Sequence, residues 1–210
     1  MIDAAELPDE LLLERLAAGD EEAFRALYRR HHGPLYRFVL HMTGRAEAAE
    51  EVVQETFMVL IRGSAKFDPG RGDLAGFLFG IARNHVHRFL DADGRYQGLP
   101  EEGPEALAGH GPALFQPDAP DPTARLIQSE TVAQVRRAVL SLPERYREVV
   151  TLCDLEEMEY ERAASILNCP VGTVRSRLNR AREMLAEKLR VTLDPSPAPR
   201  ISATGAFETR

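Results

Sequence analysis

Apolar residues recur along this chain at the spacing of helices that each turn one face inward. The pattern predicts a helix over residues 10–18. A second starts from Asp20 as N-cap and carries Ala23, Phe24, Leu27 and Tyr28. Gly33-Pro34 is expected to interrupt or re-aim it before a third pattern, Leu35, Phe38, Val39 and Met42, ends at Gly44, placed as a C-cap. The next helix, 46–62, has Val52, Val53, Phe57, Leu60 and Ile61 as its buried set. A turn rich in Pro and Gly, 66–73, leads into a helix with Leu74, Phe77, Leu78, Ile81, Val86 and Phe89 as its apolar positions. Periodicity is lost from 92 to 123, a stretch dense in Gly, Pro and acid that reads as a flexible linker. It resumes over 124–140 and 144–155, and ends in two helical patterns split by Asn168-Cys169-Pro170. The fold class is therefore all-α, with small helical domains over 11–91 and 124–191. A flexible N-terminus, 1–10, and a tail without periodicity, 192–210, are expected to flank them.

The last two helical patterns, around Tyr160–Leu189, read as a helix-turn-helix. Ala164 falls where the helices cross most closely, and Asn168 falls at the turn, which needs positive φ. Val174, Leu178, Ala181, Leu185 and Leu189 form the inward stripe of the second helix. Thr173 lies in its first turn, and Arg175, Ser176, Arg177, Asn179, Arg180 and Arg182 are left facing out. Guanidinium forks among small polar side chains suit a helix lying in a DNA major groove. An ordinary solvated helix face with ion pairs such as Arg180 to Glu183 is the competing explanation.

Charge sharpens this picture. The chain is −7 overall, yet residues 171–190 hold six basic side chains against Glu183 and Glu187, a local +4. A basic stripe in an acidic protein is what selective placement on nucleic acid looks like. No apolar run approaches the ~20 residues of a membrane span, so no membrane insertion is expected. The acidic start lacks the order of a signal peptide, and a cytoplasmic protein is expected. Cys153 and Cys169 have no flanking ligands at zinc spacing. His31, His32, His41, His85 and His87 invite a metal reading, but adjacent or i, i+2 histidines do not share a helix face. No paired carboxylates, nucleophile triad order or phosphate loop stands out, so neither catalysis nor a cofactor is expected.

Two other surfaces carry chemistry. On the helix 46–62, Glu51, Gln54, Glu55 and Met58 share the side away from the apolar stripe, either as a solvated face or as a dock for a basic partner. Farther on, Phe67, Phe77 and Phe79 interleave with arginines, and Arg83, Asn84, His87 and Arg88 form a polar edge able to stack on and hydrogen-bond unpaired bases. Core packing is the competing role for each phenylalanine.

Taken together, AGDEEAFRALYRRHHGPLYRF, AEEVVQETFMVL, KFDPGRGDLAGFLFGIARN, LPERYREVVTL and NCPVGTVRSRLNRAREML resemble the sigma-70 family of bacterial RNA polymerase sigma factors, in the order of the small extracytoplasmic-function type. The resemblance covers about residues 11–90 and 124–189. It implies that the protein directs core RNA polymerase to promoters and that the two domains are sigma regions 2 and 4. Glu51, Gln54, Glu55 and Met58 would then bind the clamp helices of the largest polymerase subunit. Phe67, Asp68, Arg71, Phe77, Arg83, Asn84, His87 and Arg88 would read and open the minus-ten element. Thr173, Arg175, Ser176, Arg177, Asn179 and Arg180 would read the minus-thirty-five element. The implied partners are core polymerase, through clamp helices and flap, promoter DNA and an anti-sigma factor. The linker would thread the RNA exit path, and its 107–115 patch has no assigned dock.

The family often has Asp at Glu51, Trp at Phe77, Gly at Asn168, and Gly-Leu-Ser where this chain has Glu157-Met158-Glu159. An acidic chain with such DNA-reading faces is expected to bind DNA weakly when free, its domains packed together or held by an anti-sigma factor. Two rivals remain: a helix-turn-helix regulator that binds duplex DNA without polymerase, and a sigma-like protein that holds polymerase or an anti-sigma partner without starting transcription.

Overall fold

The computed structural model describes residues 7–63, 67–93 and 122–193. The expected flexible start, the linker with its 107–115 patch and the tail lie largely outside this set. Among the described residues there are eight α-helices and no strand: α1 (Asp9–Ala17), α2 (Glu21–Thr43), α3 (Ala46–Gly63), α4 (Leu74–Asp93), α5 (Pro122–Leu140), α6 (Glu144–Val150), α7 (Tyr160–Leu167) and α8 (Val171–Leu193). A 3-10 turn, Pro69–Arg71, precedes α4, and a π turn, Thr151–Leu155, prolongs α6. None of these helices is long and apolar enough to cross a membrane.

Local chemistry sets most helix ends. The Asp20 carboxylate accepts from the amides of Glu22 and Ala23 and so caps α2. Gly44 closes α2 in the left-handed conformation at φ +74, where a β-carbon would also stand 3.0 Å from a methyl of Leu140. Helix α2 is not interrupted at Gly33-Pro34, contrary to expectation. Its buried face runs through the dipeptide from Leu27 and His31 to Leu35 and Phe38, and burying that stripe outweighs the hydrogen bond that Pro34 cannot donate.

Helices α1 to α4 pack around Leu27, Phe38, Leu60 and Leu78; Leu142, Leu152, Val174 and Leu178 are the corresponding centre of the second half. Ile61 does not join the core. It is 44% exposed, because Phe57 and Leu60 already fill the inward side of α3 and the next residue is carried around the helix. The hydroxyls of Thr43 and Thr56 are buried without cost, since each donates to the carbonyl four residues earlier, at 2.9 and 2.7 Å.

The two halves are packed on each other. Helix α4 lies against α7, and α2 lies against α5 and α6. Arg147 of α6 ties the join: its guanidinium donates to the carbonyls of Leu140 and Leu142 at 2.6 and 3.0 Å and to that of Met42 at the end of α2. One group thus satisfies the orphan carbonyls of two helix ends.

Candidate nucleic-acid and polymerase interfaces

Three surfaces emerge. On α3, Glu51, Gln54 and Glu55 are exposed and Met58 is half-buried. Beside them a groove of about 400 Å³ between α2 and α3 is lined by Tyr28, His32, Gln54, Met58 and Ile61. Tyr28 stacks obliquely on Phe57 and on His32, with ring centres 4.8 Å apart in each case. The face is therefore acidic and amide on one side and apolar on the other. The sequence pattern marks the polar half of this face; it puts Ile61 in the buried set and names Tyr28 only as a position in the pattern of its own helix. Only the pairing of α2 with α3 turns them into one surface.

The turn before α4 is built by Asp68, whose carboxylate accepts from the amide of Gly70 at 2.9 Å and so caps the 3-10 turn. Phe67 and Phe77 meet edge to face, with ring centres 5.5 Å apart. Both are half-buried, whereas Phe79 is core, against Phe38. Phe67, Phe77, Arg83 and Asn84 line a cleft of about 680 Å³ whose far wall is α7, through Arg162, Ser165 and Ile166. Asn84 and Arg88 are exposed, and Arg88 lies against the His85 ring. The Arg71 side chain is outside the described set.

Two members of this group are already engaged. Arg83 Nε donates to Glu148 Oε1 at 2.5 Å. His87 has Nε2 2.8 Å from the same oxygen and Nδ1 2.9 Å from Glu144. Glu148, on α6, is 3% exposed, so the charge it brings is almost fully desolvated and demands these partners. His87, Glu144 and Glu148 stand close enough to share an ion, but Arg83 already supplies positive charge on the same carboxylate oxygen. Nothing in the local sequence announces this network, whose members are 61 and 65 residues apart.

The third surface is α8. Val174, Leu178 and Ala181 are buried, while Arg175, Ser176, Asn179 and Arg180 are exposed and Thr173 and Arg177 are half-exposed. Asn168 closes α7 at φ +50, the left-handed conformation the turn was expected to need. Ser176 donates to the carbonyl of Thr173, and Arg180 pairs with Glu183 at 2.7 Å. Arg175 stands over the Tyr160 ring, 5.8 Å from its centre. Arg182 is exposed, as expected, and makes a two-pronged pair with Asp154 at 2.5 and 3.0 Å. That pair fastens α8 to the π turn.

Comparison with known proteins agrees with this arrangement. Residues 27–96 match the family Sigma-70 region 2, and residues 133–185 match Sigma-70, region 4. The ECF RNA polymerase sigma-E factor of Haemophilus influenzae is 34% identical over 188 residues, 89% of this chain and 97% of that protein. The protein of the same name from Escherichia coli K12 is 36% identical over 191 residues, 88% and 95% of the two chains. Among solved structures, the sigma factor RpoE of Bartonella quintana, in complex with the anti-sigma factor NepR, superposes with a TM-score of 0.61 at 27% identity, over 80% of this chain and 97% of that one. The CnrH structure, in complex with the cytosolic domain of CnrY, shares the fold at a TM-score of 0.63 and 24% identity, over 87% and 97%. With regions 2 and 4 in order, and relatives matched over nearly their whole length, the chain belongs to the sigma-70 family, as a sigma factor of the extracytoplasmic-function type.

Proposed function

We propose that this protein binds core RNA polymerase, carries it to specific promoters and is itself controlled by an anti-sigma factor. The observation that carries the reading is the presence on one chain, in family order, of an exposed acidic and amide face on α3 and an exposed basic face on α8. Glu51, Gln54, Glu55 and Met58 dock on the polymerase clamp helices, beside the apolar groove of Tyr28 and Ile61. Phe67, Asp68, Arg71, Phe77, Arg83, Asn84, His87 and Arg88 read and open the minus-ten element, and Thr173, Arg175, Ser176, Arg177, Asn179 and Arg180 read the minus-thirty-five element. The domains are assigned as 11–91 and 124–191, with a linker between them. The protein acts in the cytoplasm and makes no bonds of its own; polymerase performs the chemistry.

The deciding experiment mixes purified protein with core polymerase and maps transcription starts. Promoter-specific initiation is expected. Duplex binding with no gain in initiation would instead make the protein a helix-turn-helix regulator. For the docking face, Glu51→Arg combined with Gln54→Ala should abolish core binding while circular dichroism stays helical, because neither side chain enters the apolar stripe. Unchanged affinity for core would remove α3 from the interface.

A further inference from the structure

On α8, Arg175 is held differently from Arg180 and Arg182. Arg180 pairs with Glu183 at 2.7 Å and Arg182 with Asp154 at 2.5 and 3.0 Å, so a carboxylate already fills part of each guanidinium fork. Arg175 instead stands over the Tyr160 ring, 5.8 Å from its centre, with the Glu161 carboxylate at 4.0 Å, beyond hydrogen-bond reach. An aromatic face attracts a guanidinium through the ring quadrupole and leaves the in-plane N–H groups open to acceptors. A carboxylate has to be displaced before the same groups can meet a base edge.

Tyr160 is itself fixed. It is the first residue of α7, half-buried, and packs against the core of the second half. Arg175 and Arg182 are seven residues apart on α8, which puts them on nearly one azimuth and about 10 Å apart along the axis. Tyr160 spans the interval, its ring under Arg175 and its hydroxyl accepting from Arg182. Arg182 is anchored in turn. Asp154, by hydrogen bond and by charge, holds the Arg182 guanidinium above its ordinary value, and Tyr160 acts in the same sense. Arg182 can serve both because Asp154 takes only its Nε and Nη2. Support therefore runs from the π turn through Asp154, Arg182 and Tyr160 to Arg175.

We propose that Tyr160 is a positioning residue for promoter reading: its ring presets Arg175 to reach a base edge, and the pair of Asp154 with Arg182 keeps the ring in place. An arginine immobilised on a partner loses rotamer freedom, and one that is already confined loses less. The gain falls on base reading, because a two-pronged contact to a base edge demands one orientation of the fork, whereas a phosphate offers acceptors on several sides. Tyr160 touches no DNA in this role, and its effect is carried wholly by Arg175. The positioning role rests on the reading of α8 as the minus-thirty-five helix. The ring contact does not.

The first arm of the test follows the δ-methylene protons of Arg175 by NMR in the free full-length protein, assigned by their loss in Arg175→Ala. They should carry a ring-current shift that disappears in Tyr160→Leu. Tyr160→Phe, which keeps the ring and loses the hydroxyl, should fall between the two. Absence of the shift in the wild type overturns the platform. The second arm reconstitutes holoenzyme with core polymerase and selects upstream elements from a promoter pool randomised there. Arg175→Ala should relax preference at one base pair. Tyr160→Leu should lower discrimination at that same pair by about two- to fivefold, the worth of an exposed cation–π contact, with Tyr160→Phe again intermediate. Adding Tyr160→Leu to Arg175→Ala should change nothing further. A merely structural defect would weaken selection at every position and in both backgrounds, and that outcome overturns the positioning role. So does a pair relaxed by Arg175→Ala that Tyr160→Leu leaves untouched. A wild-type holoenzyme that selects no element at all overturns the promoter reading and the positioning role with it, while the first arm still decides the ring contact.

Discussion

Glu157 and Asn168 are the two described residues other than glycine with positive φ, at +53 and +50. Both stand where the family often has glycine. Asparagine tolerates this backbone because its short amide can bond locally, whereas glutamate gains nothing there. Glu157→Gly is therefore expected to raise unfolding stability by about 0.5–1 kcal/mol, the relief of strain being partly offset by the freer unfolded chain. Asn168→Gly should gain less. Urea denaturation of the two variants measures the difference, and a loss of stability in Glu157→Gly would show that the Glu157 side chain itself stabilises the fold. The φ of Asn168 was legible from the turn it occupies. That of Glu157 was not, because it depends on the π turn before it.

At the scale of elements, two N-caps make a contrast. Asp20 caps α2 with its carboxylate, while Glu159 precedes α7 at φ −60 with no side-chain cap at all. Glu159→Ser should supply the missing acceptor to the first-turn amides and stabilise the protein by about 1 kcal/mol. The expected readout is a higher Tm with unchanged affinity for DNA; an unaltered Tm would mean that the first turn of α7 finds its partners elsewhere. Helix α2 shows the limit of local rules. Gly33-Pro34 is a fair breaker signal in isolation, but Leu27, His31, Leu35 and Phe38 bury one continuous face across it.

For the whole molecule, the packing of the halves makes stability depend on pH. Burial, then the Arg136 and Arg37 cations, depress the His41 imidazole to about 4. A histidine ordinarily titrates near ~6.5, so the unfolded chain binds the proton that the packed one refuses. The His41 contribution is thus fully present above about pH 6.5 and is lost as pH falls toward 4, amounting to no more than about 3 kcal/mol. Glu156 works in the opposite sense. Burial raises its carboxyl despite the neighbouring Arg37, so acid relieves a buried charge there. Urea unfolding at about pH 7 and about pH 5 should show a smaller acid loss in His41→Gln than in the wild type; equal losses would remove His41 from the balance. The two DNA readers, in contrast, should fail separately. Arg175→Ala should cost ~1–3 kcal/mol at one upstream base pair if it reads a base, or lower the salt slope by about one if it touches phosphate. Opening on a pre-melted template should stay nearly normal. Asn84→Ala should spare upstream binding and reduce permanganate-reactive thymines, and an Arg175→Ala defect as large on pre-melted as on duplex DNA would merge the two roles.

What the sequence determined by itself were the features written in short range: helices from their apolar period, the Asp20 and Gly44 caps, the left-handed Asn168, and the basic stripe that α8 turns outward. These depend on residues within a turn or two of one another, whose geometry the backbone alone dictates. Tertiary structure decided the rest. Arg37 meets Glu156 across 119 residues and Arg83 meets Glu148 across 65, while Ile61 and Tyr28 become surface and Pro34 stays inside a helix. Each of these outcomes depends on which face is packed against it, and local spacing does not record that.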